Sequence, residues 1–153
     1  MSSAPQRQSY IVFPLGERSF ALPADAVVEL ARSGTVQEIP HTTPFVSGVL
    51  VRRGLILPVW DVSQTLIGSD LAVQKFYLVV LRHFGAAVEW VAIPVSGECQ
   101  MVQAERVPVP AGRPSYVCGT LSLESGSVEV LDLEALAVAQ RTAPAKPSPG
   151  GTS

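Results

Sequence analysis

The two cysteines and two histidines of this 153-residue chain are its strongest nucleophiles and ligands, and none stands where that chemistry could use it. A catalytic thiolate needs a base beside it, but Cys118 lies in the apolar run Tyr116–Leu121, while His41 and His83 fall in different halves of the sequence. Two histidines without companion cysteines or carboxylates at ligand spacing make a poor metal site. Carboxylate pairs suited to acid–base work are scarce inside the apolar runs, and neither Gly16–Glu–Arg nor Gly48–Val–Leu is a phosphate-cradling loop. Charge suited to recognition is what remains. Arg52–Arg53–Gly54 is a basic turn between two apolar runs, and Glu29 is a lone acid in Val27–Val–Glu–Leu–Ala31. An exposed pair between them would stabilise the fold by less than about 1 kcal/mol, so binding specificity is the better reason for such residues.

The elements that must position these charges read mostly as β. Tyr10–Phe13 and Ser19–Leu22 flank a turn containing Gly16, and Ala26–Leu30 continues as a third strand. The prolines of Ile39–Phe45 make it a loop. The segment Phe45–Asp61 is a hairpin with Arg52–Arg53–Gly54 at its tip, and Asp61 caps a short helix that stops at Gly68. In the second half, Phe76–Leu81 and Ala87–Ile93 form a hairpin, Cys99–Val102 a weaker strand, and Val107–Pro114 a proline-broken loop. Tyr116–Leu121 and Val128–Leu131 then lead into a last helix, Asp132–Ala139. An internal echo links the halves: Gly48 precedes Asp61, and Gly119 precedes Asp132, by the same 13 positions (61 − 48 and 132 − 119). Only the first of these hairpins has the charged turn. Trp60 and Trp90 fall in strand runs and are expected in the core. Short strands punctuated by turns argue for two barrel-like halves, an all-β fold.

Composition narrows the function. The chain is 47% hydrophobic and only 16% charged, which implies a large core or a surface that expects a partner. A net charge of −2 argues against bulk attraction to nucleic acid. The polar start lacks the apolar core of a signal peptide, and no run approaches the roughly 18 residues of a membrane span. A cytoplasmic protein without membrane insertion is expected, its cysteines reduced. Residues 1–8 and 141–153 are expected to be disordered. The folded body should span residues 9–140, in intertwined halves of about 9–68 and 75–140.

Taken in order, these segments resemble the CheW family, adaptors of bacterial chemosensory systems. The likeness rests on Tyr10–Gly16, Val27–Leu30, Ile39–Pro40, Pro44–Gly48, Arg53–Val59 and Asp61, then on Tyr77–Leu81, Tyr116–Gly119 and Val130–Leu133. It implies two packed five-stranded SH3-like β-barrel subdomains (CheW-like) with short helices around a shared core. It also implies a non-enzymatic job without cofactors: coupling the cytoplasmic tip of a chemoreceptor to the regulatory domain of a CheA-type histidine kinase in a membrane-associated array. The kinase would sit against apolar surface of the first half, and the receptor's helical hairpin in the groove between halves. Partner-binding residues carried over on this basis are Glu29 and Arg53, with Val27 and Gly48 beside them and Arg52 and Gly54 in the turn. The sequence departs from the family at Val51–Arg–Arg–Gly54, where Asn–Leu–Arg–Gly is usual, at Pro94–Cys99, and in the short segment from Pro108 to Ser115. These departures admit an adaptor for a pilus-type pathway, or a paralogue that binds the kinase without a receptor. The rivals from other classes are a barrel enzyme centred on Cys118 or His83 and a nucleic-acid-binding barrel.

Overall fold

A computed structural model describes residues 7–32, 36–37, 46–84 and 86–142, without the side chains of residues 36, 37, 47, 84, 141 and 142. The expected loop at Ile39–Phe45, with His41, lies outside the described residues, as do residues 143–153. The first hairpin is β1 (Arg7–Leu15) and β2 (Arg18–Pro23), and Arg7 and Gln8 are already in strand. A single 3-10 turn, Ala24–Ala26, leads to β3 (Val27–Arg32), followed by the short β4 (Val36–Gln37). The basic-tipped hairpin is β5 (Val46–Arg52) and β6 (Leu55–Trp60), then α1 (Ser63–Ile67). The second half supplies β7 (Phe76–Phe84), β8 (Ala87–Val95), β9 (Gln100–Val107), β10 (Val117–Leu123), β11 (Gly126–Leu131) and α2 (Leu133–Thr142). The segment expected to be a weak strand at Cys99–Val102 is thus the long β9. Its alternating exposure hides the strand in a purely apolar reading, since Ala104 is its only fully buried residue.

The strands form a closed barrel, β1-β2-β11-β10-β9, and a six-stranded sheet, β3-β7-β8-β6-β5-β4. This partition does not follow the two halves of the sequence. Each sheet takes its first hairpin from one half and its remaining strands from the other. β9 closes on β1 while β3 closes on β7, and β11 meets β2 in parallel while β6 meets β8 in parallel. The echo is structural to the residue. Val130 lies opposite Ala21, and Val59 opposite Ala92, so both strands shift by the same 71 positions (130 − 59 and 92 − 21). Each copy has a register shift just before its glycine, between Val46 and Gly48 and between Val117 and Gly119. The copies differ in one strand: β9 runs unbroken from β1 to β10, whereas at its counterpart the described residues are β3 and β4, on either side of residues 33–35, which lie outside the description.

Period-two alternation explains how such thin sheets bury so much. On β7, Leu78 and Val80 face a core shared by both sheets, while Tyr77 and Val79 face the interior of their own sheet. The barrel likewise fills itself with Tyr10, Ala21, Leu121 and Val130. Strands buried on both faces read as continuous apolar runs, as in Val91–Val95. Pro94 lies in this run opposite Tyr77, two residues past the one point at which β8 pairs with β6. Its missing N–H therefore does not interrupt that parallel contact. Trp90 departs from the core expectation, being 37% exposed, because it points outward from β8. Trp60 is buried, donates its indole N–H to Gln140 Oε1 at 2.5 Å, and carries Arg82 over its ring. Since Gln140 is on α2, this contact fastens the last helix to the first half.

Candidate functional site

The two aspartates of the repeat hold their helices differently. Asp132 accepts from Ala135 N–H at 3.1 Å while its carbonyl takes the first helical bond from Leu136, as an N-cap does. Asp61 stands one residue earlier than that position: Val62 is the N-cap residue of α1, and Asp61 Oδ1 accepts the Ser63 N–H and hydroxyl in an Asx turn. Gly68, at φ 74°, ends α1 as expected.

The β5–β6 connection is a two-residue loop with Arg53 at φ 53° and Gly54 at φ 77°. Positive φ at both positions is the type I′ geometry that suits the twist of a hairpin, and it is costly for a side chain such as arginine. The structure brings Glu29 on β3 to this tip, across the open side of the six-stranded sheet. Arg52, not Arg53, is its main partner: Nε and Nη2 of Arg52 reach the two Glu29 oxygens at 3.2 and 3.0 Å. Arg53 makes one longer contact at 3.4 Å and leaves 73% of its side chain exposed. The Arg52 hydrogen bonds hold the Glu29 carboxyl below the usual carboxylate range against the opposing effect of burial, and the charges of Arg52 and Arg53 add to this. The same bonds raise Arg52. A one-residue shift in partner choice follows from the pleat: Arg52 closes the strand and faces β3, whereas Arg53 sits in the turn. Val27 packs against the shared core and Gly48 is buried in β5, so neither presents its own surface as Arg53 does.

Around this charge lies apolar surface. Val51, Leu55 and Ile56 are 56%, 47% and 69% exposed. The repeat offers an internal control, because the β10–β11 hairpin has the same two-residue connection, with Leu123 opposite Gly126. There the equivalent positions are Ser122, Gly126 and Ser127, and the counterparts of Arg52 and Arg53 are Leu123 and Glu124. The fold therefore does not demand the apolar, basic tip.

The residues that line a second feature escaped the sequence reading. A groove of about 490 Å³ opens between the barrel and the six-stranded sheet. Leu22, Leu81, Leu131 and Leu133 line it together with Asp25, His83, Arg106, Cys118, Asp132 and Glu134. These residues come from six strands and helices and the 3-10 turn, so no local pattern announces them. Cys118 lies there 3.5 Å from Arg106, and Cys99 elsewhere is half-buried, its thiol pushed up to about 11 by burial. Among the described residues, no group of three or more His, Cys, Asp or Glu could hold a metal ion.

Comparison with known proteins agrees with this architecture. The CheW-like domain profile matches residues 9–140. Protein FrzA of Myxococcus xanthus is 27% identical over 138 residues, covering 86% of this chain and 84% of that protein. Chemotaxis protein CheW of Klebsiella aerogenes is 23% identical over 134 residues, covering 84% and 81%. The crystal structure of scaffolding protein TtCheW from Thermoanaerobacter tengcongensis superposes with a TM-score of 0.71 over 89% of this chain and 91% of that one, at 19% identity, a likeness of fold. With a profile match over residues 9–140, most of its length, the chain belongs to the CheW-like domain family.

Proposed function

We propose that this protein is a cytoplasmic, non-enzymatic adaptor that couples a chemoreceptor tip to the regulatory domain of a CheA-type histidine kinase. The observation that carries the reading is the asymmetry between the two hairpins at equivalent places in the repeat. One presents Val51, Leu55 and Ile56 beside Arg52 and Arg53; the other presents serine and glycine. Exposed apolar side chains rimmed by charge make a protein-docking patch, and burying them against a partner supplies the affinity. The exposed guanidinium of Arg53 and the neutralised Glu29 fix register at the rim, where charge contributes specificity. The kinase domain docks on this tip and the receptor's helices lie in the groove between the sheets. Holding both partners raises their effective concentration for each other. No helix among the described residues is long and apolar enough to cross a membrane.

Capture by an immobilised CheA-type regulatory domain tests this. Ile56→Asp and Arg53→Glu should each reduce capture at least about tenfold while leaving the thermal transition within a few degrees. Full capture by both folded variants would remove the tip from the interface.

A further inference from the structure

The apolar end of the six-stranded sheet extends beyond its basic tip. β6 begins at the β5–β6 turn and β8 at the β7–β8 turn, and the two strands run parallel through Val59 and Ala92, so both turns lie at one end of the sheet. Alternation puts Leu55 on the face of Val59, and Val88 and Trp90 on the face of Ala92. Val88 and Trp90 are 53% and 37% exposed, which carries the patch of Val51, Leu55 and Ile56 onto a second hairpin. That hairpin is also the longer copy in the repeat. β1–β2 ends at the pair Leu15–Arg18, where Arg18 matches Glu89, whereas β7–β8 runs beyond Arg82–Glu89 to Phe84–Ala87.

The barrel is an internal control for this whole end. The 71-position shift of the parallel contacts turns Val51, Leu55 and Ile56 into Ser122, Gly126 and Ser127. It also turns Val88 and Trp90 into Glu17 and Ser19 (88 − 17 and 90 − 19). Every one of these apolar side chains is replaced at a position that stays exposed. Charge changes too: Arg53 becomes Glu124, and Glu17 adds a second exposed acid. Arg18, beside Glu17, is already engaged by Glu129 and by the carbonyl of Leu66. Among the described residues, the strongly exposed large apolar side chains of the barrel are Met101 and Val107, both on β9 and outside these hairpins.

We infer that the protein has one docking face for its kinase-domain partner, not two, and that the matching end of the barrel is built to refuse that partner. A surface that fits the sheet end offers an apolar patch edged by acids, which meet Arg52 and Arg53. Set against the barrel end, the same surface would cover serine and glycine with its apolar patch and bring its acids against Glu17 and Glu124. Lost burial and like-charge contact act together, so the repeat discriminates by repulsion as well as attraction. Two like faces would bridge two domains and continue into a ring or filament, whereas one face closes the complex. The protein therefore ends a row of kinase domains instead of extending it. This rests on the adaptor reading and adds its valence.

The test mixes full-length protein with a large excess of the isolated CheA-type regulatory domain and reads complex mass by analytical ultracentrifugation. The heaviest species containing the adaptor should hold one adaptor and one domain. Trp90→Ala should weaken that complex at least about tenfold, and Ser19→Ala should leave it unchanged. The combined variant Glu17→Val, Ser19→Trp, Glu124→Arg, Ser127→Ile should take a second domain. One wild-type adaptor holding two domains would overturn the inference and leave the adaptor reading intact, and this measurement needs no variant. A one-to-one complex indifferent to Trp90→Ala would also overturn it, as would a combined variant with a normal thermal transition that still takes one domain. Absence of any complex with wild type rejects the adaptor reading itself, and the inference falls with it.

Discussion

Glu29 serves two arginines, and the closer one is the residue that departs from the usual family turn. The sequence made Glu29 legible as a lone acid in an apolar strand and Arg53 as the matching base. It could not show that Arg52, at the last position of β5, is the one facing β3, because that depends on how the open sheet curls. Arg53 is left turned outward and strained, a cost that a binding role explains better than a structural one. The pair also has a pH signature. Glu29 is held below its ordinary value, so its stabilising contribution is complete at neutral pH and disappears as pH falls through that depressed value. Glu29→Gln should therefore lower stability by at most about 1 kcal/mol at pH 7. The gap from wild type should close in melts taken below about pH 4. A gap that stays constant down to acid pH would show that the carboxylate charge contributes nothing.

At the scale of elements, the duplicated glycine, strand and aspartate announced the repeat, and the hairpins fell where turns and apolar runs put them. The bulges at Ser47 and Cys118 were not legible, because register is decided by the neighbouring strand. Trp90 shows the same limit: alternation says that a strand has two faces but not which one is covered. Gly119 illustrates what the neighbour decides. Arg106 of β9 lies across it so closely that an added Cβ would stand 2.3 Å from Cγ and Cδ of that side chain and 3.3 Å from Val107 O. Gly119→Ala should displace Arg106 from the groove and cost about 1 kcal/mol or somewhat more. The matching observation is a lower urea midpoint with faster alkylation of Cys118. An unchanged midpoint and unchanged labelling would mean that Arg106 is free to move without consequence.

Over the whole molecule, the manner in which the halves interlock was not legible, since which hairpin completes which sheet depends on pairings as distant as Arg7 with Glu105. The exchange makes each half the missing part of the other. Full-length protein carrying a protease site between Ala72 and Val73, both exposed, should on cleavage still elute as one species and unfold in one transition. Separation of the fragments in native buffer would mean that the exchanged strands contribute little to cohesion. The exchange also bears on how the chain is made. Tyr10 of the first hairpin pairs with Val102, which leaves the ribosome 92 residues later (102 − 10). At roughly 5–20 residues per second, the nascent β1–β2 hairpin stands for about 5 to 18 s with its outer edge unmatched. That interval exposes a template for stray β-pairing. Supply of this adaptor in a cell is thus tied to the chaperones that meet the chain during synthesis, before any partner does.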